Sequence, residues 1–288
     1  MNVLNLGGHS GCGIYLMEMD DGSVFVRKTS KNPAYNGRLQ AQCAKQRSFL
    51  GNRIHAPTVL SEGIDEEGRF YFDMEYIQGV TLAEYVKTME IGKIKGLVAM
   101  LVESLVPRME GQAADRDRIR DCFRKKLEDL SCNLKDMGNS HVDEALELLN
   151  GHDWSNVPPS ACHGDLTLEN IIVRNDRLYL IDFLDSFYDS WVLDMGTLLQ
   201  DVQAMWSYRK AKSVSMNTVL RLLVFRDLLL DAVKQIDPGY LTEIYYALLM
   251  KLVRIYPYTT DRLTLTFLDE KLEQVMGCIK TMGEGVQL

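Results

Sequence analysis

His163-Gly164-Asp165-Leu166-Thr167-Leu168-Glu169-Asn170 is followed, twelve residues past its last member, by Asp182 within Leu180-Ile181-Asp182-Phe183. The intervening NIIV, the turn at Asn175-Asp176 and RLYLIDF read as a short β-hairpin, which brings Asn170 and Asp182 to one edge. The residue types suit one task. A carboxylate (Asp182) and a side-chain amide oxygen (Asn170) are hard donors for magnesium. A further carboxylate (Asp165) can orient a hydroxyl and take up its proton, as phosphoryl transfer requires. The plain alternative is a polar turn before a hairpin, with Asp and Asn as caps. Against it, H-G-D-x-x-x-x-N arises by chance in such a chain with a probability on the order of 10⁻³.

Upstream of residue 78 the signals are mostly β. Residues 13–19 and 23–29 flank Asp20-Asp21-Gly22, a hairpin pattern. Residues 38–50 carry Leu39, Cys43, Gln46 and Leu50 at helical spacing. VLSEGI, a turn at residues 65–68 and RFYFDMEYI add further strands, giving four or five antiparallel strands with one helix. Gly7-Gly8-His9-Ser10-Gly11-Cys12-Gly13 precedes the first hairpin. The glycines at Gly8, Gly11 and Gly13 let backbone N–H groups approach phosphate oxygens, and Ser10 adds a hydroxyl at the loop tip. In Val24-Phe25-Val26-Arg27-Lys28, alternation puts Val24, Val26 and Lys28 on one face and Phe25 and Arg27 on the other. A lysine on an apolar face can meet a phosphate as a point charge.

Downstream the pattern is helical. Thr81 and Glu84 form a capping box for a helix to about Met89, and further helices are expected at 94–109, 112–137 and 141–150. Residues 191–282 are apolar at helical spacing, broken near Pro238-Gly239 and Pro257.

Composition narrows the class. The 288 residues are 46% hydrophobic and 25% charged, with a net charge of −8, which speaks against nucleic acid as a partner. Six cysteines without a C-x-x-C pair read as free thiols of a reducing compartment. No run of about 18 apolar residues and no signal-peptide pattern is present, so a cytoplasmic protein with no membrane role is expected.

HGDLTLEN followed by LIDF resembles the aminoglycoside phosphotransferase and choline kinase-like family of small-molecule kinases, whose fold is that of the protein kinases. Gly164, where protein kinases carry arginine, resembles the small-molecule branch. The resemblance implies an α+β, bilobal protein-kinase-like fold. Residues 1–77 would form a small antiparallel β-sheet lobe with one helix that binds nucleotide. Residues 78–288 would form a larger, mainly helical lobe with the catalytic loop and substrate site. It implies ATP and Mg2+ as cofactors and a small-molecule hydroxyl as acceptor: a sugar, amino-sugar, aminoglycoside or choline-like alcohol. Asp165 would be catalytic, and Asn170 and Asp182 would hold the metal. Gly8, Ser10, Gly11, Gly13 and Lys28 would bind phosphates. In Phe72-Asp73-Met74-Glu75-Tyr76-Ile77, the Glu75 carbonyl and Ile77 N–H would meet the adenine edge, with Met74 behind the ring. His163 and Asp194 would brace the loop. Asp185 and Asp189 read as solvated loop, and Trp154, Trp191 and Trp206 as core. The family's lysine pairs with a helix glutamate, but residues 38–50 hold no acidic residue, and Gln42 or Gln46 stands in that place. A regulatory pseudokinase, a protein kinase and a nucleotidyltransferase are the alternatives.

Overall fold

The computed structural model describes residues 1–7, 11–51, 53–106 and 115–283. Two compact units emerge. The first comprises residues 1–82, 163–165 and 169–186; the second comprises 83–162, 166–168 and 187–288.

In the first unit a five-stranded antiparallel sheet has the order β1 (Asn2–Asn5), β2 (Gly13–Glu18), β3 (Val24–Thr29), β6 (Phe70–Glu75), β5 (Val59–Ile64). The β2–β3 turn falls at the expected residues, with Gly22 at φ 82° and its N–H bonded to the Met19 carbonyl. The five-strand count rests on β1, whose four residues are all exposed and carry no alternation. The glycine-rich segment is therefore the connection between β1 and β2, closed where the Leu6 N–H meets the Ile14 carbonyl at 2.9 Å.

Helix α1 (Asn36–Ser48) begins two residues before the expected start because the Asn32 side chain caps a preceding turn at Pro33–Tyr35. It buries Leu39, Gln42, Cys43 and Gln46, one face at i, i+3, i+4 and i+7. Leu39 and Cys43 pack with Val26, Phe70, Phe72 and Met74 of the sheet. Leu50 leaves that face: the chain turns extended at Phe49, and Leu50 is 94% exposed.

A second sheet in this unit has the order β4 (Ile54–His55), β9 (Arg177–Leu180), β8 (Ile171–Arg174), β7 (Val80–Thr81). The β8–β9 hairpin is the one the sequence marks. Asn175 and Asp176 sit at φ 49° and 58°, as a two-residue turn of right-twisting strands requires. The strands β4 and β7, two residues each, are too short to leave a period in the sequence. Gly79 lets β7 approach β8: a Cβ there would lie 2.5 Å from the Val173 carbonyl oxygen.

The second unit is helical: α2 (Leu82–Val86, its first residue in the first unit), α3 (Ile91–Leu105), α4 (Arg116–Leu134), α5 (Ser140–Gly151), α6 (Trp191–Val202), α7 (Met216–Ile236), α8 (Gly239–Val253) and α9 (Arg262–Gly283). The expected helix at 94–109 thus starts earlier and ends at Leu105. The start of the one expected at 112–137 lies outside the described residues. Every residue of α6 is buried. It packs on α8 through Gly196, where a Cβ would fall 2.8 Å from that of Ala247. Trp154, stacked 4.3 Å from Phe123, and Trp191, 1% exposed, belong to this core. Among the described residues, no helix is long and apolar enough to cross a membrane.

Candidate active site

The first unit collects most of the residues that the sequence singles out. His163 is fully buried. Its Nδ1 accepts the Asp165 N–H at 3.3 Å, so its Nε2 carries the proton and donates to the Ile181 carbonyl at 2.8 Å. Its ring rests against Phe183 with centroids 4.5 Å apart, and its carbonyl accepts the Leu184 N–H at 3.1 Å. The imidazole therefore ties two chain segments together.

Gly164 has φ +95°, and a Cβ there would lie 2.7 Å from both the Leu184 carbonyl oxygen and Ser186 Oγ. Glycine is thus a backbone requirement at the position where protein kinases carry arginine.

Asn170 donates from Nδ2 to the Asp165 carbonyl at 2.8 Å and approaches Asp165 Oδ2 at 3.5 Å. Its own carbonyl accepts the Ile181 N–H at 3.0 Å, extending the hairpin by one rung. Asp182 follows directly, at φ 61°. A left-handed aspartate is costly, about 1 kcal/mol or more, and persists where its surroundings over-determine it.

Lys28 supplies such surroundings. Alternation on β3 sends it inward with Val26, and it is 2% exposed. Its ammonium pairs with Asp182 Oδ1 and donates to Gln42 Oε1 at 3.0 Å. Arg27, on the other face, forks onto Asp73 at 2.7 and 2.9 Å and lies 4.1 Å over the Tyr71 ring. The bond to Asp73 raises its pKa against the opposing effect of burial. Of the two candidate glutamines, Gln42 meets the lysine; Gln46 turns away to the Pro57 carbonyl at 2.8 Å.

Asp185 departs from the reading of a solvated loop. Arg38 donates to it at 2.8 and 3.2 Å and Gln42 Nε2 at 3.1 Å. Burial pushes the Asp185 carboxyl up, but the bonds from Arg38 and Gln42 outweigh it and hold the pKa below the usual value. The signal was present as Arg38 and Gln42 one turn apart on α1, but their shared partner lies 147 residues from Arg38.

In the glycine-rich segment, Gly8 and Ser10 lie outside the described residues. Gly11 has φ +75°, with the Lys31 side chain 3.4 Å from where its Cβ would be. Gly13 opens β2, paired with Thr29. Met74 is buried in β6, Glu75 ends that strand, and Ile77, 8% exposed, follows it. These placements put Gly11, Gly13, Lys28, Met74, Glu75 and Ile77 in the same unit as Asp165, Asn170 and Asp182.

The donor set fits a hard divalent cation: Asp182 offers a carboxylate, and Asn170, whose Nδ2 is turned to Asp165, keeps its amide oxygen as an acceptor. Both side chains are partly exposed. Among the described residues, no three His, Cys, Asp or Glu cluster as a metal site of their own.

A model of the phosphotransferase enzyme family (APH) matches residues 14–217, well over half of the chain. The chain belongs to the phosphotransferase enzyme family. Its fold is that of solved aminoglycoside phosphotransferases, which are protein-kinase-like. A thermostable mutant of aminoglycoside phosphotransferase APH(4)-Ia, in ternary complex with ADP and hygromycin B, aligns with a TM-score of 0.63 at 14% identity, covering 97% of this chain and 94% of that one. The amicoumacin kinase hAmiN, in complex with AMP-PNP, Ca2+ and Ami, aligns at 0.55 and 16% identity, over 95% of this chain and 87% of that one. A Thermobifida fusca protein assigned as a fructosamine-3-kinase aligns at 0.56 and 17% identity, over 96% and 93%. At these identities the likeness is one of fold. No curated protein sequence matches significantly.

In the second unit of the phosphotransferase, Asp194 is buried on α6, as is every residue of that helix. Asp201, one helix stretch further, was not singled out. Fully buried, it accepts the Leu168 N–H at 2.6 Å and the Ser207 N–H and hydroxyl at 2.7 Å each. Asp201 looks like any helix aspartate in sequence, so no local pattern marks it. A recess of about 460 Å³ elsewhere in this unit, lined by Glu144, Glu147, Tyr246 and Lys280, holds none of the predicted site residues.

Proposed function

We propose that this phosphotransferase moves the γ-phosphoryl group of ATP, with magnesium, to a hydroxyl of a sugar, amino-sugar, aminoglycoside or choline-like alcohol. The observation that carries the reading is the joint placement of Lys28 against Asp182 and of Asn170 against Asp165. Lys28 offers the nucleotide phosphates a buried positive charge, and the glycine-rich connection offers backbone N–H groups. Asp182 and Asn170 are the residues to hold magnesium, which when bound neutralises developing phosphate charge. Asp165 orients the acceptor hydroxyl and accepts its proton. Glu75 and Ile77 present backbone groups to the base, with Met74 packed behind it. On this reading residues 1–77 bind the nucleotide, and residues 78–288 carry the catalytic loop and the acceptor site. The ADP and AMP-PNP held by the APH(4)-Ia and amicoumacin kinase structures support the nucleotide, and hygromycin B supports a polar, hydroxylated acceptor.

The test is incubation of the purified protein with Mg-ATP labelled in the γ-phosphate and a panel of hydroxylated small molecules. Labelled acceptor is expected. Product labelled from the α-phosphate would mean nucleotidyl transfer, and label on protein alone a protein kinase. Gln42, a neutral partner for Lys28, favours one second reading, a nucleotide-binding regulatory module. Nucleotide binding without turnover on any acceptor would support that reading.

A further inference from the structure

Helix α1 carries Arg38, Gln42 and Lys45 at i, i+4 and i+7, on one face. All three reach the segment just after Asp182. Arg38 forks onto Asp185, and Lys45 donates to the Leu184 carbonyl at 3.0 Å and to Ser186 Oγ at 3.2 Å. Gln42 stands between two charges of opposite sign. Its Oε1 accepts from Lys28 at 3.0 Å, and its Nε2 donates to Asp185 Oδ1 at 3.1 Å.

An amide has one accepting end and one donating end. An ammonium only donates, and an ionised carboxylate only accepts. Turning the amide over would face NH₂ to NH₃⁺ and oxygen to carboxylate at once. Gln42 is 1% exposed, so no water screens either clash. Its orientation is therefore dictated by Asp185, whose charge Arg38 balances.

We propose that Gln42 and Asp185 act as one positioning unit for Lys28, dividing between an amide and a more distant carboxylate the task that a single acidic side chain on this helix would otherwise perform. Both are positioning residues, and the inference rests on the phosphotransferase reading of Lys28. It has a counter-intuitive consequence. Placing a carboxylate at residue 42 harms the site, because that carboxylate would face Asp185 at about hydrogen-bond distance. Converting Asp185 to an amide at the same time removes the clash and rebuilds the pair with the roles reversed.

The experiment compares wild type, Asp185→Asn, Gln42→Glu and the double variant Gln42→Glu/Asp185→Asn. The readouts are the Kd of AMP-PNP, KM for ATP, KM for the acceptor, kcat and the thermal midpoint. Each single variant is expected to weaken AMP-PNP binding and raise KM for ATP about tenfold, the worth of one charge-assisted hydrogen bond, with the acceptor KM unchanged. The double variant is expected to return within about threefold of wild type, a non-additive coupling. Gln42→Glu equal to or better than wild type overturns the proposal, as does a double variant no better than the sum of its parts. Loss confined to the thermal midpoint also overturns it, since that marks a merely structural contact. A wild type that neither binds nor turns over Mg-ATP overturns the phosphotransferase site reading, and this proposal with it. An active wild type with additive variants overturns this proposal alone.

Discussion

Lys28 and Asp182 form an ion pair across 154 residues of sequence. The lysine is almost wholly buried on β3, while about a quarter of the aspartate side chain remains exposed. The pair joins the two motifs that were read separately, one from strand alternation and one from the hairpin after Asn170. Replacing Lys28 by Met keeps the stem and removes the charge. We expect kcat/KM for ATP to fall by about 10²–10³-fold, the cost of one preorganised charge at a phosphate site. Steady-state kinetics with ATP varied checks this, and a loss below about fivefold would remove Lys28 from the site.

Gly164 is held at φ +95° with no room for a Cβ. Gly164→Ala is expected to destabilise the protein by about 2–3 kcal/mol, from the left-handed backbone and the 2.7 Å contact with the Leu184 carbonyl. Denaturant unfolding of the variant beside wild type measures it.

Asp201 accepts three hydrogen bonds from Leu168 and Ser207 while fully buried. Asp201→Ala leaves those donors without a carboxylate and is expected to cost about 3 kcal/mol or more. Thermal and chemical unfolding midpoints should both fall.

Cys43 lies under the sheet. Burial first, and the hydrogen bond to Glu62 second, push its thiol up to about 11. A folded-state value raised above the unfolded one means that the contribution to stability is complete below the unfolded thiol range, about 8.5, and is lost as pH rises through about 11. At pH 8.5, iodoacetamide should label the exposed Cys132 and spare Cys43 until the chain unfolds. Peptide mapping by mass spectrometry reads both.

How far the sequence carried differs from element to element. The β2–β3 hairpin, α1 and the β8–β9 hairpin were legible because each has a local period and a turn with φ-tolerant residues. Strand β1, Asn-Val-Leu-Asn, puts one polar and one apolar residue on each face, and β4 and β7 hold two residues each, so none produces a pattern. In the site, Asp165, Asn170, Asp182 and Lys28 were readable from motif and alternation. Asp185 was not: its place depends on Arg38 and Gln42 reaching it from a helix far back in the chain, a tertiary contact with no sequence period. Asp201 was missed for the same reason.

The account turns on the Asp165 carboxylate, which shares a unit with the Lys28–Asp182 pair. Its most direct test is single-turnover phosphoryl transfer by wild type and Asp165→Asn, with Mg-ATP affinity measured on the same samples. We predict that transfer falls by about 10³-fold or more while the Kd for Mg-ATP shifts less than about threefold. Transfer within about tenfold of wild type in the variant would contradict the assignment.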